Sequence, residues 1–188
     1  MSAHQVFRGR KVVVGRHKKW LAGLVAAIGV LSATPLQAND GHGISVRLGV
    51  GDDYKRIEAA WTSPTLWSTQ LFNRKLDLNA EAGVAYWHAD SSKAGSSVWQ
   101  VTATPMLRYW FTERWYVEGG IGPSMFVSVK FADLDLGSSF QFADQIGVGV
   151  KLSDKHRVSL RYSHYSNAGF KKPNPGLDLI QLNYTYLF

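Results

Sequence analysis

Over most of its length the chain repeats one pattern: segments of about ten residues in which apolar and polar side chains alternate, divided by turn-forming clusters. Successive side chains of a β-strand point to opposite faces, so this alternation specifies strands with one apolar and one polar face. Eight such segments can be marked. The first carries Ile44, Val46, Leu48 and Val50, with Ser45, Arg47 and Gly49 between them. The second has Ile57, Ala59 and Trp61; the third runs from Leu76 to Tyr86; the fourth from Trp99 to Phe111. After a short Thr112-Glu113 link the fifth runs from Trp115 to Pro123, and the sixth from Phe140 to Leu152. A Ser153-Asp154-Lys155 turn opens the seventh (Val158, Leu160, Tyr162, His164, Ser166), and the eighth (Ile180, Leu182, Tyr184, Tyr186, Phe188) ends the chain.

The first 38 residues obey a different rule. They hold six Lys/Arg and no acid, then an apolar run from Trp20 to Leu31, then small and polar residues up to Ala38. This is the order of a secretory signal peptide with cleavage after Ala38; Leu36 is large for the −3 position, which keeps Ala33 as a second cleavage point. The apolar run falls short of the roughly 20 residues that a membrane-spanning helix needs. Residues 39–188 then form the mature chain. The formal net charge of +7 belongs almost wholly to the leader, because outside it 15 basic residues stand against 14 acidic ones. No basic block survives there, which excludes a nucleic-acid partner. There is no cysteine, so an exported chain of this kind holds together without disulfides.

An even number of antiparallel strands, each apolar on one face, closes into a barrel. A soluble lipocalin-like barrel would turn the apolar face inward; a transmembrane barrel turns it outward to lipid. Three features select the second. Aromatic residues gather near strand ends (Trp61, Tyr86, Trp99, Tyr109, Trp115, Tyr186, Phe188), as in interfacial girdles. The polar faces carry nearly balanced charge, with Arg47, Arg56, Arg108 and Arg161 against Glu58, Asp77, Glu81 and Glu118, which suits a filled, salt-bridged interior. Finally, Leu182-x-Tyr184-x-Tyr186-x-Phe188 resembles the C-terminal signature of bacterial outer-membrane barrels. The expected fold is therefore an all-β, eight-stranded antiparallel transmembrane β-barrel of the outer membrane. Short links at 112–113 and 153–155 mark the periplasmic end, and the longer connections at 90–95, 126–138 and 167–176 lie outside.

Side-chain phase then exposes an anomaly. His164 and Ser166 share the lipid-facing stripe of the seventh strand, and Asp178 shares that of the eighth. If the two strands form a hairpin, a base, a hydroxyl and a carboxylate meet at the outer rim, which is the minimum for an activated serine. Asp144 has the same outward phase near the top of the sixth strand. Polar groups facing lipid are costly unless they sit at the interface or act there.

The stretch from Tyr162 to Phe188, with His164-x-Ser166-Asn167, the Asn174-Pro175-Gly176 turn and Asp178 after it, resembles the lipid A 3-O-deacylases of the PagL family. The resemblance implies an outer-membrane esterase that removes the acyl chain at the 3-position of lipid A, with Ser166 as nucleophile, His164 as general base and Asp178 as its orienting acid. It further suggests Asn174 and the backbone N–H of Gly169 as oxyanion donors, with Asn167 and Asp144 in support. Family members usually carry Glu where Asp178 stands, one methylene longer. Lys171 and Lys172, in the loop above, suit the phosphates of such a substrate. Two other readings stand beside this one: a non-enzymatic structural or adhesion barrel, which the modest loops disfavour, and an outer-membrane phospholipase, which the same trio could serve. No metal-ligand spacing links His42, His88 and His156, so no metal or other cofactor is expected. The expected partners are lipid A and the outer membrane, and an outward-facing site permits a homodimer without requiring one.

Overall fold

The computed structural model describes residues 41–90 and 92–188, so the leader and its cleavage point lie outside the described residues. Eleven β-strands follow in order: β1 (Gly43–Val50), β2 (Tyr54–Thr62), β3 (Trp67–Leu71), β4 (Arg74–Ala89), β5 (Ser97–Trp110), β6 (Trp115–Phe126), β7 (Lys130–Phe131), β8 (Leu134–Asp135), β9 (Phe140–Lys151), β10 (His156–Ser166) and β11 (Leu177–Leu187). Every neighbour pair is antiparallel, and the pairing of β2 with β4 and of β1 with β11 closes the sheet on itself. β3 continues β2 along the same partner, because β2 pairs with the upper part of β4 and β3 with its lower part. The closed sheet therefore has eight strands, as the alternation predicts.

Two elements go beyond that expectation. Ser63 and Pro64 interrupt the alternation after β2, and the strand resumes as β3 before the two-residue turn at Phe72 and Asn73. Both turn residues have positive φ (51° and 59°), as a type I′ hairpin turn requires. The connection at 127–139 contains the small β7–β8 hairpin.

One cross-strand row shows how the barrel closes. It passes from Leu76 through Tyr109, Val117, Val148, Leu160, Leu182, Leu48 and Ile57, and returns to β4 at Tyr86, ten residues beyond its start. Such a stagger tilts every strand against the barrel axis. Every residue of the row is apolar or aromatic and sits on the outer face. β5 alternates strictly, with Val98, Gln100, Thr102, Thr104, Met106 and Arg108 buried.

The lumen is filled by ion pairs over most of its length and by aromatic rings at one end. In the middle, Arg47 joins Glu58 (3.0 Å) and Glu81 (2.6 Å), Arg56 joins Glu58 (2.8 Å), and Arg161 joins Glu81 (2.7 Å) and Glu118 (2.6 Å). Nearer the periplasmic end, Arg108 and the indole of Trp110 hold Asp77 at 2.8 and 2.6 Å. At the outer end Trp87, Phe126, Phe131 and Tyr165 form an aromatic plug, with the Tyr165 ring edge-on to Trp87 at 5.3 Å. The Arg56 guanidinium bridges the ion pairs and the rings, 5.4 Å from the Trp87 ring and 5.5 Å from that of Tyr165. Charges that lipid could not solvate thus solvate one another inside.

Among the outer loops, Lys93 reaches Asp53 and Asp133, each at 3.4 Å, and ties the 90–96 connection to its neighbours. Its hydrogen bond and charge contact with Asp53, and then those with Asp133, hold the ammonium above the ordinary lysine value.

Candidate active site

The antiparallel hairpin of β10 and β11 has a register that sets His164 directly opposite Asp178. On its other side β10 pairs with β9, which sets His164 opposite Asp144. One row across three strands therefore reads Asp144, His164, Asp178, all on the outer face near its extracellular edge. Opposed residues have Cβ atoms about 5 Å apart, within reach for short side chains. His164 Nδ1 donates to Asp178 Oδ1 at 2.7 Å. That bond leaves Nε2 as the ring nitrogen available to take a proton.

Ser166 lies one pleat above His164 on the same face, opposite Phe142 of β9, and is half-buried. Its hydroxyl makes no hydrogen bond among the described residues. The inward positions of β10 are Arg157, Ser159, Arg161, Ser163 and Tyr165, all buried in the lumen, so His164 and Ser166 project away from it.

Two tyrosines hold Asp178, and sequence reasoning missed this role for both. Tyr162, one pleat below His164, donates its phenol to Asp178 Oδ1 at 2.5 Å. Tyr54, at the start of β2, donates to the Asp178 carbonyl at 3.1 Å and accepts from its N–H at 2.9 Å. Tyr162 could have been found, because it shares the phase of His164 and a hairpin register puts it diagonal to Asp178. Tyr54 gave no signal: it reaches Asp178 across the end of β1, over the three-residue 51–53 turn.

The 167–176 connection carries the remaining candidates, and buried Asn167 is its hub. Asn167 N–H donates to Asn174 Oδ1 (3.1 Å), and Asn167 Nδ2 donates to the Leu136 carbonyl (3.1 Å). Asn167 Oδ1 accepts from the N–H groups of Gly169 (3.0 Å) and Lys171 (3.4 Å). The Gly169 N–H is thus turned toward Asn167 in this arrangement, whereas Asn174 Nδ2 has no partner among the described residues. Ala168 and Gly169 both have positive φ (53° and 79°), which makes the sharp reversal above Ser166. Phe170, Lys171 and Lys172 are exposed at its tip, with the Phe170 ring 6.1 Å from that of Phe142. Gly176 (φ 76°) returns the chain beside His164, and a Cβ there would lie 2.8 Å from imidazole Cε1.

The arrangement offers an oriented imidazole beside a hydroxyl on a lipid-facing surface. Such a pairing is chemically able to support acyl transfer.

Comparison with known proteins agrees. A family model described as lipid A 3-O-deacylase (PagL) matches residues 55–187. A lipid A deacylase PagL of Bordetella bronchiseptica is 47% identical over 175 residues, covering 92% of this chain and 98% of that protein. One from Pseudomonas aeruginosa is 33% identical over 145 residues, covering 76% and 77%. A crystal structure of the outer membrane enzyme PagL superimposes with a TM-score of 0.69 at 29% identity, covering 77% of this chain and 98% of that one.

Proposed function

Because this chain belongs to the PagL family and is an outer-membrane lipid A 3-O-deacylase, we propose that Ser166, His164 and Asp178 carry its hydrolysis by a serine-esterase mechanism. His164 Nε2 accepts the proton of Ser166 as Oγ attacks the ester carbonyl at the 3-position of lipid A. The tetrahedral intermediate collapses, His164 gives that proton to the departing sugar oxygen, and the acyl group stays on Ser166. Water, deprotonated by the same imidazole, then attacks the acyl-enzyme and frees the fatty acid and Ser166. Asp178 fixes the tautomer and stabilises the imidazolium at both stages.

The hydrogen bond from His164 Nδ1 to Asp178 Oδ1 at 2.7 Å carries this reading. It orients the base on the outer face, level with the zone where acyl chains meet sugars in the outer leaflet. The Ser166–imidazole contact is one that tightens as substrate binds, since catalytic hydrogen bonds are often loose without substrate. Asn174 Nδ2 is the side-chain donor available for the oxyanion. The Gly169 N–H joins it once the bond to Asn167 Oδ1 is exchanged for the developing charge. Asp144 stabilises the imidazolium from the opposite flank, and Lys171 and Lys172 meet the lipid A phosphates as point charges.

Mass spectrometry of lipid A from cells expressing the chain tests the assignment. The parent protein removes one 3-hydroxyacyl group, and Ser166→Ala, folded in the membrane, leaves lipid A intact. Deacylation by that variant would remove Ser166 as nucleophile. A parallel assay on glycerophospholipid separates this specificity from that of a phospholipase.

A further inference from the structure

We propose that Tyr162 is a positioning residue for the deacylation, acting through Asp178; the inference rests on the triad reading above. Asp178 is a short side chain on the outer surface, 56% accessible. Among the described residues no side chain of the lumen bonds it, and the groups on the outer face set its torsion angles. Two do so, and both bind the same oxygen: His164 Nδ1 at 2.7 Å and the Tyr162 phenol at 2.5 Å. Tyr54 fixes the main chain beneath, bonding both the N–H and the carbonyl of Asp178. With the backbone held by one phenol and Oδ1 by another, the carboxylate has one orientation open to it, the one that meets the imidazole.

The geometry also shows why a tyrosine suits this place. Tyr162 stands two residues before His164 on β10, and so on the same face one pleat away. A phenol oxygen lies far enough from its backbone to cross diagonally to β11, and the rigid ring keeps it there at small entropic cost. The hydroxyl donates to the carboxylate in every state of the reaction. It therefore adds to the anchoring of Asp178 while the imidazole switches between neutral and cationic forms. The ring contacts lipid, and the hydroxyl contacts the acid.

Tyr162→Phe separates these parts, because it keeps the ring and removes only the oxygen. The expected result is a fall in kcat of about tenfold or more, in line with the loss of a hydrogen bond to a charged group, with KM unchanged. In an Asp178→Ala background the same substitution should alter kcat less than twofold, since the group it acts through is gone. Folding of each variant is checked by the heat-dependent electrophoretic shift of the closed barrel. A Tyr162→Phe protein within twofold of the parent overturns the proposal and leaves the triad reading standing. An equal loss in both backgrounds also overturns it, because the phenol would then act elsewhere. An Asp178→Ala protein with parental kcat removes Asp178 from the reaction and the role of Tyr162 with it.

Discussion

At position 176 a single hydrogen separates the main chain from the His164 imidazole. Gly176→Ala should therefore cost activity through two effects: the methyl strikes Cε1, and φ of 76° strains any side chain. The expected outcome is at least a tenfold loss of deacylation in a barrel whose folded yield is unchanged. Asp178→Glu probes the neighbouring group from the other direction. The longer side chain can still reach Nδ1, so we expect retained or increased activity in the same lipid A assay. Complete loss would show that Tyr54 and Tyr162 confine the site to the shorter acid. The alternation alone made His164, Ser166 and Asp178 legible, because phase assigns faces. It could not reveal the Tyr54 contact, because a bond across the end of β1 depends on how the barrel closes, which no local period records.

The 167–176 connection holds its shape through an element far away in sequence. Asn167 donates to the Leu136 carbonyl in the connection that carries the β7–β8 hairpin, whose Phe131 is wedged into the aromatic plug. Gly137 lies so close to the Pro173 carbonyl that a Cβ there would sit 2.1 Å from it. Removing the hub should loosen the connection without opening the barrel. Asn167→Ala is expected to lower kcat about tenfold or more, from the several hydrogen bonds lost, and to speed proteolysis between 167 and 176. The heat-induced transition of the barrel should hardly move. Loop lengths and the eight spanning segments were readable in the chain. β3 was not, because Ser63 and Pro64 break the period, nor was the β7–β8 hairpin, since two-residue strands have no period to detect.

The lumen is a closed ionic lattice, and its parts are not interchangeable. Arg161 serves both Glu81 and Glu118. Removing it leaves two buried carboxylates short of a partner, which costs on the order of 3–5 kcal/mol. Arg161→Ala should accordingly lower the denaturant midpoint of the folded barrel far more than any substitution on the lipid-facing stripe. High salt should not reproduce the effect, because buried pairs are weakly screened. With side chains occupying the interior from Trp110 to Trp87, the protein should show no steady conductance in a planar bilayer.

His164, Ser166 and Asp178 all look away from that interior, and this has a kinetic corollary. The enzyme meets its substrate in two dimensions, so what governs its velocity is crowding within the film rather than molarity in the bulk. In mixed micelles, added detergent should slow turnover even when the total quantity of lipid A is held constant. Velocities collected at different micelle loadings should fall on one curve once plotted against lipid A mole fraction.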